Sequence, residues 1–149
     1  MKKKNLMKSL TALVLSVLMV LSLAACGAKP SDGGKDEDKD GYTVAIIKQM
    51  DHASLDEIAD AIAARLDAIA QEQNVSIRYT ITSGQGDQSV LKQLADQAVA
   101  DQVDAIIPIA TTAAQVSAVA AEDSRTPVVY AAISDPDTAK LTGIDYVTG

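Results

Sequence analysis

The sequence predicts an α/β domain built on a doubly wound parallel sheet with helices on both faces. Four short runs rich in aliphatic and β-branched residues, starting at Thr43, Val75, Asp104 and Pro127, have the length of strands. Amphipathic stretches separate these runs, and their starts follow one another at intervals of 32, 29 and 23 residues. Such intervals are typical of right-handed strand–helix–strand units, which place successive strands parallel in one sheet.

A change of periodicity predicts the first strand and the first helix. Thr43 to Ile47 (TVAII) is an apolar run long enough for a buried strand. Ser54 with Glu57 three residues later has the form of a capping box, and apolar residues then recur at helical spacing as far as Ile69. We therefore expect a helix that begins near Ser54.

The remaining elements continue the same alternation. Val75 to Thr82 alternates apolar and polar residues, as a strand with one wetter face does, and Asp104 to Ile109 and Pro127 to Ala132 are predicted as the third and fourth strands. Asp87 can cap the helix that precedes the third strand. An Ala-rich helix is expected from Thr111 to about residue 122, and a turn or short helix follows the fourth strand.

The loops that follow the predicted strands are the expected place for a ligand. In open parallel sheets, ligands bind at the carboxyl ends of the strands, near the point where the strand order reverses. Four loops should therefore lie along one edge: Lys48–Ser54, Ser83–Asp87, Ala110–Thr112 and Ile133–Pro136.

Composition excludes several classes of function. The 149 residues suit one domain, and a net charge of −7 provides no basic face for nucleic acid. The single Cys excludes an internal disulfide and CxxC zinc sites. Gly84-x-Gly86 lacks the third Gly of a dinucleotide fingerprint and the Lys-Ser/Thr of a P-loop. We expect no metal and no cofactor.

The loop after the first strand holds the only His of the chain, His52, beside Asp51. This pair could serve as a catalytic base in a lipid-anchored α/β enzyme such as a hydrolase, or it could be a satisfied surface pair. No G-x-S-x-G nucleophile motif accompanies it.

Two further loops carry polar groups that suit a small ligand. Thr111 and Thr112 open a helix, where hydroxyls and unpaired N–H groups favour an anion such as a carboxylate. An ordinary Thr cap is the alternative. Asp135, before Pro136, could pair with a ligand ammonium or cap the turn that Pro136 begins.

The N-terminus has the organisation of a bacterial lipoprotein. Four Lys precede an apolar stretch from Leu10 to Leu23, which is shorter than the roughly 20 residues of a membrane span. Leu23-Ala24-Ala25-Cys26 resembles the lipobox, so we expect residues 1–25 to be a removed signal peptide and Cys26 to be lipidated. Residues 26–41 then form a flexible acidic linker, and the protein is anchored outside the cytoplasm, on the bacterial cell membrane.

Several segments of residues 42–149 match the pattern of one known family. The more specific pieces are Asp51-His52-x-x-Leu55-Asp56, Ala110-Thr111-Thr112-Ala113-Ala114-Gln115 and Ser134-Asp135-Pro136. Val147-Thr148-Gly149 also matches, and Val103-Asp104-Ala105-Ile106-Ile107 is shared with sugar-binding periplasmic proteins and is less specific. On these pieces, residues 42–149 resemble the N-terminal lobe of ABC-transporter substrate-binding lipoproteins of the tryptophan/tyrosine type.

The resemblance implies a non-enzymatic binding protein with two Rossmann-like lobes, a small solute such as an amino acid between them, and an importer permease and ATPase as partners. Carried over by position, Gln49, Asp51 and His52 would border the cleft, Thr111 and Thr112 would hold a carboxylate, and Ser134 and Asp135 would offer further polar contacts.

The resemblance also implies that the second lobe is missing from this sequence. The chain would then be a fragment, a one-lobe product, or half of a site that a second chain completes. A structural or sensory lipoprotein that presents this lobe to a partner, without a small ligand, is a further alternative.

Overall fold

A five-stranded parallel sheet organises residues 41–149, which are the residues described by this computed structural model. The predicted signal peptide, Cys26 and the linker as far as residue 40 lie outside the described residues. Strands and helices alternate in the order β1 Gly41–Lys48, α1 Ala53–Gln73, β2 Ser76–Ser83, α2 Gln88–Ala100, β3 Ala105–Ile109, α3 Thr111–Ala120, β4 Val128–Val129 and β5 Val147–Thr148.

The strand order in the sheet is β2-β1-β3-β4-β5, and every pair is parallel. The chain steps from β1 to β2 on one side and then crosses back to place β3 on the other. The reversal leaves a crevice at the carboxyl ends of β1 and β3, which is where open α/β sheets bind ligands. The predicted fold class is confirmed.

Two apolar clusters cover the two faces of the sheet, as a doubly wound sheet requires. On one face, Val44 and Ile46 of β1 pack against Ala59 and the apolar stripe of α1. On the other, Ala45 and Ile47 pack with residues of α2 and α3. All four consecutive β1 residues from Val44 to Ile47 are buried, because both faces of a central parallel strand are covered.

The boundaries of three elements differ from the sequence-based expectation. The N-cap of α1 is His52 rather than Ser54, so the capping box does not form. Strand β4 has only two residues. It starts after Pro127, which has no N–H to donate, and beyond Val129 the pairing continues as a bridge between Ile109 and Ala131. The segment after Pro136 is a turn, which is one of the two forms expected, and β5 was not predicted.

Within residues 41–149 no helix is long and apolar enough to cross a membrane.

The packing of Gly84 gives a test of the second loop. A Cβ added to this buried glycine would overlap the side chain of Leu91, at the start of α2. We expect Gly84→Ala to lower the free energy of unfolding by about 1–3 kcal/mol through overpacking. In a Leu91→Ala background the overlap is removed, so the same change should cost less than about 1 kcal/mol. Urea denaturation of the four proteins of this double-mutant cycle measures both values; equal costs in the two backgrounds would contradict the packing.

Candidate functional site

Main-chain hydrogen bonds join the loops at the carboxyl edge of the sheet. Gln49 N–H donates to the carbonyl of Ile109 at 3.1 Å, and Gly86 N–H donates to the carbonyl of Gln49 at 2.9 Å. Ala110 N–H donates to the carbonyl of Ala131 at 3.0 Å. The loop after β1 is thus tied to those after β2 and β3, and the β3 loop to the chain beyond β4.

Helix α3 begins at this edge with a strained residue. Its N-cap, Ala110, has φ 79° and ψ 162°, a conformation used almost only by glycine, at a cost of about 1–3 kcal/mol. No side chain of the N-cap bonds to the first turn. Thr111 and Thr112 are the first two residues of the helix, so the ordinary Thr cap considered from the sequence is not formed.

The side chain of Gln49 reaches across the crevice to this helix. Its Oε1 accepts a hydrogen bond from the backbone N–H of Thr112 at 3.1 Å. In the described part of the chain no acceptor takes the N–H of Thr111 or Ala113. The first turn of α3 therefore presents two free donors at its positive end, beside the Gln49 amide.

A half-buried lysine holds the first loop in place. Lys48, the last residue of β1, bonds through Nζ to Asp51 Oδ1 at 3.2 Å and to Asp56 in the first turn of α1. Asp56 is the main cause that raises the pKa of Lys48 above its ordinary value. The hydroxyl of Ser83 and the ammonium of Lys48 lower the pKa of the Asp51 carboxyl. The loop thus carries a carboxylate held by an ion pair, and Lys48 exposes 12% of its side chain.

His52 is turned toward its own helix. Its Nδ1 accepts a hydrogen bond from Ser54 N–H at 3.2 Å, which leaves Nε2 as the free ring nitrogen. In residues 41–149 no hydrogen bond joins His52 to Asp51. The arrangement of a base oriented by a carboxylate, which the enzyme alternative needs, is not formed.

Ser134 and Asp135 lie in the loop that follows β4. Asp135 accepts from Thr138 N–H at 2.9 Å and from the Thr138 hydroxyl at 2.7 Å, so it caps the turn as the sequence suggested. The backbone N–H of Thr138 is the main cause that lowers the pKa of Asp135. Within the described residues no hydrogen bond links Ser134 or Asp135 to the other edge loops.

Of the predicted site residues, Gln49 is in direct contact with Thr112, and Asp51 is held in the same loop as Gln49. The side chains of His52 and Asp135 form hydrogen bonds only with residues close to them in sequence. Sequence reasoning missed Lys48 and Met50, which belong to the same edge. The i,i+3 spacing of Lys48 and Asp51 was the available signal for the ion pair. No sequence signal marks Ala110, because alanine does not predict a positive φ.

Other parts of the described chain are less suited to a site. An open groove of about 550 Å³ lies between α2 and α3 on the outer face, and it is lined by Lys92, Gln115 and Val119, among others. Its lining residues all belong to these two helices, and none lies in the four edge loops. Among residues 41–149, no three His, Cys, Asp or Glu side chains are placed to hold a metal ion.

Comparison with models of known protein families shows which family this chain is related to. The model described as ABC transporter substrate binding protein matches residues 43–145, which is most of the sequence and nearly all of the described domain.

The chain belongs to the ABC transporter substrate binding protein family.

Solved structures agree with this membership. The ABC domain of a Streptococcus pneumoniae protein, in complex with L-Trp, is 34% identical with a TM-score of 0.58, over 68% of this chain and 33% of that one. A Vibrio cholerae conserved domain protein is 27% identical with a TM-score of 0.60, over 67% and 33%. CD0873 of Clostridium difficile, a substrate binding protein with adhesive properties in its ligand-free, open form, is 24% identical with a TM-score of 0.62, over 69% and 34%.

The matched region of this chain spans about a third of the length of each of these three proteins. No match was found among curated proteins.

The ion pair of Asp51 predicts how pH affects this loop. The pKa of Asp51 is lower in the folded protein than its ordinary value of 3.8. The ionised carboxylate therefore stabilises the fold at pH values above 3.8, and this stabilisation is lost as the pH falls through the lowered pKa. We expect Asp51→Asn to lower the Tm at about pH 7, and this difference to shrink as the pH falls below 3.8. Thermal unfolding followed by circular dichroism measures both. Asp60→Asn, which removes an exposed carboxylate of α1, is the control; an equal pH-dependent loss there would contradict the assignment.

Proposed function

We propose that this chain binds a small solute with a carboxylate, best represented by an amino acid, and delivers it to an ABC importer outside the cytoplasm. The observation that carries this proposal is the family match over residues 43–145, with a polar loop edge at the strand-order reversal. The function is binding and release; no bond chemistry is involved.

The carboxylate of the ligand is assigned to the start of α3. The hydroxyls of Thr111 and Thr112 and the free N–H groups of the first turn are donors that an anion needs. Gln49 has its Oε1 on Thr112 N–H, and its Nε2 remains free to donate to the same ligand group. The ligand carboxylate would therefore contact Gln49, Thr111 and Thr112, which follow two neighbouring strands of the sheet.

The amine of the ligand is assigned to the acidic side of the edge. Asp51 stays ionised near neutral pH because Ser83 and Lys48 lower its pKa. His52 borders the same loop with its free Nε2, and Ser134 and Asp135 add polar contacts from the loop after β4. A zwitterionic amino acid would place its carboxylate at the donors of α3 and its ammonium group at the carboxylates of this edge.

Two further observations support an amino acid and a two-lobe architecture. The Streptococcus pneumoniae structure contains L-Trp. The matched part of this chain corresponds to about a third of the chains it matches, which supports the assignment of this region as a single lobe of a larger binding protein. A second lobe would provide the opposite wall of the cleft, and closure around the ligand would follow. An ABC permease and its ATPase are the proposed partners.

Threonine substitution tests the carboxylate site. We expect the full chain with Thr111→Val and Thr112→Val to bind L-tryptophan about tenfold more weakly or worse, because hydrogen bonds to charged groups are lost. Tryptamine, which lacks the carboxylate, should bind equally to both proteins. Isothermal titration with an amino-acid panel measures these affinities. Thr142→Val, an exposed threonine of the C-terminal segment, is the matched control. No binding of any panel member to the unsubstituted chain would refute the ligand class.

Cys26 tests the membrane anchor. If the lipobox assignment is right, the native protein loses residues 1–25 and incorporates labelled fatty acid, and Cys26→Ser abolishes the label and moves the protein to the aqueous phase of a detergent partition. Intact mass of the protein from its host membrane measures the processing. An unlipidated mature protein would contradict the anchor and leave solute binding untouched.

A further inference from the structure

One large apolar side chain lies among the polar residues of the first edge loop. Met50, between Gln49 and Asp51, is 37% exposed. A Cβ built on Gly86 would lie 3.6 Å from Met50 Cε, so the thioether lies across the second loop. The hydrogen bond from Gly86 N–H to the Gln49 carbonyl, 2.9 Å, fixes the two loops at this point.

The other exposed large hydrophobic side chains of the described part lie elsewhere. Tyr42 is near the start of β1, Ile81 and Val129 lie within strands, and Val119 is on the outer face of α3. Met50 is the member of this set that belongs to a loop at the carboxyl edge. The exposed part of Met50 therefore lies at the edge where the proposed ligand binds, and not on a remote surface.

Aromatic rings are absent from these edge loops. The chain has no Phe and no Trp, and its four Tyr are at positions 42, 79, 130 and 146, outside all four loops. Tyr79 donates to Asp67 of α1, and Tyr146 donates to the carbonyl of Ala118 in α3. An apolar ligand body at the first two loops of this lobe meets a thioether rather than a ring.

We propose that Met50 is the specificity-determining apolar contact of this lobe, and that it favours solutes with an aromatic or other large apolar side chain; this rests on the proposed function. Methionine is unbranched and polarisable, so it fits ligand bodies of different shape and makes favourable sulfur–aromatic contacts. The carboxylate donors proposed at the start of α3 accept any amino acid, so selectivity among amino acids has to come from a contact with the side chain of the ligand.

The test compares a large apolar ligand with a small polar one. Because the chain contains no Trp, emission excited at a wavelength that its four Tyr do not absorb reports the added L-tryptophan alone, and L-serine affinity is measured by competition. Met50→Gln, of similar length but polar, is expected to weaken L-tryptophan binding about tenfold and to leave L-serine within about twofold. Met50→Leu should keep L-tryptophan within about threefold. Val119→Gln, an exposed apolar residue away from the edge, is the matched control and should change neither.

The outcomes separate the two proposals. If the unsubstituted chain binds neither ligand nor any member of the amino-acid panel, the proposed function fails and this inference fails with it. If the unsubstituted chain binds L-tryptophan and Met50→Gln keeps the same preference over L-serine, the inference alone is overturned. Equal weakening by Met50→Gln and Val119→Gln would also overturn it. Unchanged Tm values of the variants show that a loss of binding is not a loss of fold.

Discussion

The pairing of β1 on both of its edges is the constraint on which the rest of the domain depends. Eight register pairs join β1 to β2, and five join it to β3. Because neighbours on both sides are parallel, the four apolar residues from Val44 to Ile47 must be covered by helices on both faces. The same pairing forces the chain to reverse its direction of winding after β2, and that reversal creates the crevice at Gln49.

The strained backbone of Ala110 lies at this crevice, next to the polar groups of the first turn of α3. Ala110 holds a glycine-like conformation because its N–H is bonded to Ala131 and its carbonyl accepts from Ala114. Both bonds belong to regular structure on either side, so relaxing the backbone would break the start of α3 or the continuation of the sheet. The strained turn aims the first N–H groups of the helix at the edge, where Gln49 takes one of them. The sheet thus stabilises an arrangement that the local sequence disfavours.

The spacing of apolar residues was enough to predict the fold, because the pattern of each strand or helix can be read from that segment alone. The apolar run of β1 and the helical stripe of α1 are such patterns. It was not enough at the ends of elements. His52 displaced Ser54 as the cap of α1 because the orientation of a side chain in the loop decides the cap, and β5 was missed because two residues, Val147 and Thr148, have no periodicity.

The site residues could be named from loop positions, but their partners could not, since those partners are distant in sequence. Gln49 and Thr112 are 63 residues apart, and Lys48 reaches Asp56 across the loop. These contacts bear on binding. Gln49 Oε1, His52 Nδ1 and the Asp135 carboxylate already have partners within the lobe, so a ligand that took the same atoms would only exchange one hydrogen bond for another, with little net gain. In the proposed binding mode, affinity would therefore come mainly from groups that remain free: the Thr hydroxyls, the unpaired N–H groups of α3, Gln49 Nε2, and the apolar surface of Met50, whose burial breaks no existing bond.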